Sequence, residues 1–159
     1  MRIAVFSDIH SNKNNLDKGL EDIANHNPDQ IWCLGDLVGY GNSPEETVGG
    51  VREACDTVLA GNHDYAATYR FPEFLEVLPH WLKQTLDVQG KMTVDNFTFL
   101  SELAPYAENK ELDILLCHAS PRDPVMEFVS EDNGVELLKL QKHFIQLVGH
   151  THRPLALGW

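Results

Sequence analysis

A chain of 159 residues with 43% hydrophobic content has material for one packed core, so a single domain covering residues 1–159 is expected. A formal net charge of −12 argues against non-specific binding to a nucleic-acid backbone, which needs a basic face, but leaves a small phosphorylated substrate open if cations make its pocket locally positive. Cys33, Cys55 and Cys117 form no CxxC pair and suit a reducing compartment; with no leader pattern and no apolar stretch near the ~20 residues of a membrane span, a soluble cytoplasmic protein without a membrane partner is expected.

The first apolar run, Ile3-Ala4-Val5-Phe6, reads as a buried strand and leads to Asp8-Ile9-His10. In an extended backbone, residues i and i+2 project to one side, so Asp8 and His10 are expected to reach one cation. Asn12 to His26 carries Leu16, Leu20, Ile23 and Ala24 at helical spacing, with Asn12 as cap and Pro28 beyond the end. A second run, Ile31-Trp32-Cys33-Leu34, ends at Gly35-Asp36, and Pro44 to Ala54 reads as a helix capped by Ser43 with Pro44 in its first position.

Thr57-Val58-Leu59-Ala60 is the third run and meets Gly61-Asn62-His63-Asp64. From Asp64 to Leu86 the chain reads as mostly helical, interrupted at Pro72 and Pro79; in Thr93 to Leu103, Val94, Phe97 and Phe99 could serve a strand, while Phe97, Leu100 and Leu103 fit a helix capped by Thr93, which is the preferred reading. Asp113-Ile114-Leu115-Leu116 delivers Cys117-His118. Glu131 to His143 reads as a helix with Val135, Leu138 and Leu137 as its inward candidates. Phe144-Ile145-Gln146-Leu147-Val148 delivers Gly149-His150-Thr151-His152. Pro154 to Leu157 reads as the start of another strand that nothing after Trp159 can pair. A chain cut short at its carboxyl terminus, with self-association through that sheet edge, is therefore an expectation.

Alternating strands and helices predict an α/β fold with a largely parallel sheet, whose carboxyl-end loops form a crevice. Taken singly, each cluster has a blander reading. A lone Asp-x-His is more often a cap or surface group, an Asp or Asn after Gly a turn residue, and a His ending an apolar run a satisfied core residue. All five clusters falling in register at strand ends is hard to obtain by accident. His26, His80 and His143 lie outside the set. The donors are nitrogen and oxygen without thiolate, which suits Mn, Fe, Co, Ni or Zn. Asp36 has two oxygens and can bridge two metals, and two metals suit phosphate-ester hydrolysis. Gly35 to Gly41 lacks the GxGxxG spacing and the chain has no Walker lysine motif, which removes a nucleotide-binding domain of that kind.

In this order, Asp8-x-His10, Gly35-Asp36, Gly61-Asn62-His63-Asp64, His118 and Gly149-His150-x-His152 resemble the signature of the calcineurin-like metallophosphoesterase superfamily. Met1 to Asn12, Trp32 to Gly41 and Cys117 to Pro124 are also similar to its small bacterial and archaeal phosphodiesterase branch. The resemblance implies an αββα sandwich of two mixed sheets flanked by helices. It implies one metal on Asp8, His10, Asp36 and His152, a second on Asp36, Asn62, His118 and His150, and His63 as general acid oriented by Asp64. Members of the superfamily continue for several strands beyond the last motif, so the second sheet is expected to be cut short here. Asp36 is followed by Leu37-Val38-Gly39 and not by the Asp-Arg-Gly element of the protein phosphatases.

The expected function is a binuclear metal-dependent phosphoesterase with two divalent ions, manganese foremost. It would cleave phosphodiester, or phosphomonoester, bonds by attack of a metal-bridging hydroxide. The alternative is a catalytically weak scaffold on the same fold. Arg122 and Arg153 follow ligand clusters and are candidates for either a phosphate contact or a surface salt bridge.

Overall fold

The computed structural model describes residues 1–71, 88–140 and 142–158. In chain order these form β1 (Ile3–Phe6), α1 (Lys13–Asn25), β2 (Gln30–Cys33), α2 (Pro44–Ala54), β3 (Thr57–Val58), α3 (Asn62–Ala67), a 3-10 turn (Gln89–Lys91), α4 (Val94–Glu102), β4 (Tyr106–Asn109), β5 (Ile114–Cys117), α5 (Glu131–Leu140) and β6 (Ile145–Val148). The part of the expected 64–86 helical stretch from Pro72 onward, with Pro79, lies outside the described residues, as does His80.

The strands make two three-stranded sheets. In the first, β1, β2 and β3 lie side by side and parallel, with Val5 opposite Trp32 and Trp32 opposite Thr57. In the second, β5 is central, antiparallel to β4 and parallel to β6, with Leu116 opposite Ala107 and Leu147. The pairing is largely parallel, and the two-sheet sandwich expected from the resemblance is present. Strand alternation gives the reason, because neighbouring side chains leave on opposite faces. Trp32, Leu34 and Leu59 of the first sheet bury against Ile114 and Leu116 of the second, whereas Cys33 joins Leu16, Val48, Val51 and Leu100 beneath the helices. On the far side of the second sheet, Gln146 and Val148 face Leu137 and Leu138 of α5. The order of layers is helix, sheet, sheet, helix.

Local chemistry sets the ends of the elements. Asn12 caps α1 by accepting from Asn15 N at 3.1 Å, and Thr93 caps α4 by accepting from Asn96 N at 3.3 Å. Ser43 precedes α2 without a side-chain cap bond, and Pro44 supplies the helical φ at the first position. α5 is described as far as Leu140, and His143 lies outside any helix; its ring lies 3.1 Å from Asp113 and 3.7 Å from Glu108. Leu137 and Gly134 are the buried residues of that helix, and Val135 is exposed. Residues 154–158 form no strand; Leu157 packs against Gly134 of α5 instead. Among the described residues no helix is long and apolar enough to cross a membrane.

Candidate metal centre

The loops that leave β1, β2, β5 and β6, with the first turn of α3 beyond β3, converge at one end of the two sheets. Backbone bonds extend the ladders past the strands and lock these loops together. Asp8 N donates to Gly35 O, His10 N to Asp36 O and Gly149 N to His118 O, at 2.9–3.0 Å. Asp8, His10, Asp36, His150 and His152 all sit in left-handed backbone, with φ between 50° and 65°. The extended i, i+2 geometry expected for Asp8 and His10 is thus corrected: a turn, not a strand, brings them together. Asp and His tolerate this conformation better than most residues, yet each instance costs on the order of 1 kcal/mol and persists only where the surroundings impose it.

Three histidines are aimed by backbone carbonyls. His10 Nδ1 lies 3.0 Å from Val38 O, His118 Nδ1 2.8 Å from Leu34 O and His150 Nε2 3.2 Å from Met126 O. Donation to those carbonyls leaves the opposite ring nitrogen as a lone pair, which is how metal-ligating imidazoles are fixed in tautomer and direction. The free nitrogens converge. His10 Nε2 is 3.0 Å from His152 Nε2, and His118 Nε2 is 3.2 Å from both His150 Nδ1 and Asn62 Oδ1. Asp36 Oδ2 lies between the two sets, 3.6 Å from His10 Nε2 and 3.5 Å from His118 Nε2. Its Oδ1 accepts from His63 N at 2.9 Å. Asp8 Oδ2 accepts from His150 N at 3.1 Å, and Asp8 Oδ1 faces His152 Nε2 at 3.3 Å.

The donor atoms fall into three mutually close groups: Asp8, His10 and His152; Asp36, His118 and His150; and His10, Asp36 and His63. Lone pairs turned toward one another repel unless a cation lies among them. Asp8 Oδ1 is buried and has no hydrogen-bond partner among the described residues. Burial, with Asp64 and Asp8 adding to it, raises the Asp36 carboxyl well above the usual carboxylate range. Burial pushes His118 down to about 4 and His63 down to about 3, the neighbouring histidines contributing to both. A buried carboxylate seeking neutralisation beside imidazoles held neutral is a donor set that fits divalent cations.

Asp64 accepts from Leu37 N, Val38 N and Gly61 N at 2.8–3.1 Å, tying the loop after β2 to the start of α3. Close approach demands glycine at two points. A Cβ on Gly61 would overlap Asp36 Oδ1, and one on Gly39, whose φ is +100°, would overlap the His63 ring. The cleft over the centre has a volume of about 370 Å³ and is also lined by Tyr40, Met126, Phe128 and Thr151. Sequence reasoning did not single out these four. Tyr40, an aromatic residue between two glycines just past Gly35-Asp36, carried a usable signal, whereas Phe128 carried none. Arg122 does not join the cleft; it pairs with Glu127 and Glu136 on the surface. Arg153 lines an adjoining groove shared with Phe128 and Thr151.

Comparison with known proteins bears on the family and the fold. An uncharacterized protein of Methanocaldococcus jannaschii is 32% identical over 161 residues, which span 97% of this chain and 63% of that protein. A metallophosphoesterase from Sphaerobacter thermophilus superposes with a TM-score of 0.78 at 31% identity, over 96% of this chain and 61% of the other. A hypothetical protein from Pyrococcus horikoshii superposes at 0.72 over 92% of this chain and 68% of the other, with 20% identity, a likeness of fold alone. The chain thus spans 63% and 61% of the first two relatives' lengths. The family model for calcineurin-like phosphoesterases matches residues 1–154, all the candidate ligands included, and the chain belongs to that family.

Proposed function

We propose that this protein is a binuclear metal-dependent phosphoesterase acting on phosphodiester bonds of a small substrate. The observation that carries the reading is Asp36, whose Oδ2 stands 3.6 Å from His10 Nε2 and 3.5 Å from His118 Nε2. One metal would be held by Asp8, His10, Asp36 and His152, the other by Asp36, Asn62, His118 and His150. Two divalent cations there would supply the activated water and the charge stabilisation for in-line hydrolysis. Two aspartates do not cancel two such cations, so the cleft attracts a phosphate despite the chain's net charge of −12.

His63 lines the cleft and is 4% exposed. It is neutral at pH 7, because burial holds it at about 3. An anionic phosphate alongside favours the charged imidazole, which then delivers its proton to the departing oxygen. Asp64 is a positioning residue: it holds the loop on which Gly39 meets His63. Manganese is the metal we expect to serve first, given nitrogen and oxygen donors.

Metal analysis of protein reconstituted with Mn, paired with hydrolysis of bis(4-nitrophenyl) phosphate and 4-nitrophenyl phosphate, tests this. We expect two ions per chain and a preference for the diester, with Asp36→Ala losing both ions and all turnover. A single tight ion that survives Asp36→Ala would overturn the binuclear reading.

A further inference from the structure

Two aromatic side chains stand at the cleft without belonging to the donor set. Tyr40 and Phe128 are each 58% exposed, so burial does not account for their positions. The Tyr40 ring lies 4.7 Å from that of His10 and 4.6 Å from that of His63. Phe128 stacks on His150 at 4.1 Å with planes 21° apart. One face of each ring thus rests on the centre, and much of the remainder is open to the cleft.

Both positions are rigid. Tyr40 has φ +44°, a costly conformation for a bulky residue, and its loop is pinned by the Asp64 bonds and by Gly41 N donating to His10 O at 3.0 Å. Phe128 O accepts from Asn133 Nδ2 at 2.8 Å. Exposed aromatic rings fixed on a rigid scaffold offer stacking area at small entropic cost. Phe128 also lines the adjoining groove of about 520 Å³, which gives room for more than a phosphate.

We propose that Tyr40 and Phe128 are specificity-determining walls that stack a nucleobase, so that the substrates are nucleoside phosphoesters. This rests on the phosphoesterase reading, because the phosphate must lie at the metal centre for the base to reach the walls.

Adenosine 5′-monophosphate and ribose 5-phosphate differ only in the base. Calorimetric titration of the Mn-loaded full chain should show the nucleotide binding about 10- to 100-fold tighter, the range that base–aromatic stacking supports. Saturation-transfer NMR should show the base protons in contact with the protein. Tyr40→Ala and Phe128→Ala should each cut the affinity ratio by roughly tenfold, and Tyr40→Phe should keep it. Equal affinities in the wild type, or a ratio that survives the double alanine variant, would overturn the proposal. Chelation separates the two readings. Ribose 5-phosphate binding that needs metal but shows no base preference sinks the aromatic walls alone. Binding that ignores chelation, with or without a base preference, sinks the metal reading and the walls that rest on it.

Discussion

His63 is buried against His10 and beside Gly39, and burial first, then the neighbouring histidines, set its titration at about 3. In metal-free protein its imidazole NMR signals should therefore stay those of the neutral ring from pH 7 down to about pH 4. Titration near 6.5 would show that the ring is solvated. The sign of the linkage follows. A histidine whose folded value is lowered contributes stability above its unfolded value near 6.5, and that contribution fades as pH falls toward about 3. In the loaded enzyme, His63→Ala should keep the metals and lower turnover by roughly 10²–10⁴ for a poor leaving group, and by far less for a nitrophenyl ester. Equal losses with both esters would count against proton delivery by this side chain.

Between elements, Arg70 does the work of a tether. It follows α3 and reaches the carboxyl end of α4, donating from Nη1 to Leu103 O at 2.6 Å and from Nη2 to Leu100 O at 3.1 Å. Its guanidinium also lies 3.9 Å from the centre of the Tyr65 ring. Carbonyls at a helix end need such partners, and the charge complements the helix dipole. Arg70→Ala should cost about 1–3 kcal/mol, read as a lower urea midpoint with unchanged slope. An unchanged midpoint would mean that water satisfies those carbonyls equally well. α1 and α2 were legible in the sequence because helical periodicity and capping residues coincide there; α4 was legible mainly through its Thr93 cap, its apolar spacing fitting a strand as well. β4 was not, since Tyr106 and Glu108 face solvent and only Ala107 turns toward the other sheet, leaving no apolar run to notice. The residues of the candidate centre were legible by type and order. Their left-handed backbone was not, because bonds between loops distant in sequence, such as Asp8 N to Gly35 O, impose it.

For the molecule as a whole, the centre lies where the two sheets meet. Asp8, His10 and Asp36 come from loops of the first sheet and Asn62 from the helix that follows it. His118, His150 and His152 come from loops of the second. Trp32, Leu34 and Leu59 already hold the sheets together against Ile114 and Leu116, so the fold does not depend on metal alone. Ions that bind only this closed arrangement still stabilise it, by about 2.7 kcal/mol each at a hundredfold excess over Kd. For a chain of 159 residues that is a Tm rise of roughly 10 °C or more, which a chelator should abolish in a thermal melt. An unchanged Tm would show that the ligands do not bind across the two sheets as drawn.

The span in sequence between the partners has a consequence for biosynthesis. His10 meets His152, and Asp8 meets His150, each pair at a sequence separation of 142. A ribosome adding ~5–20 residues per second releases the amino-terminal donors well before their counterparts exist. During that interval Asp8, His10, Asp36 and Asn62 would offer only part of the proposed donor set, weaker and less selective than the whole. On the proposed binuclear reading, metal would therefore load late, once the final histidine pair had emerged.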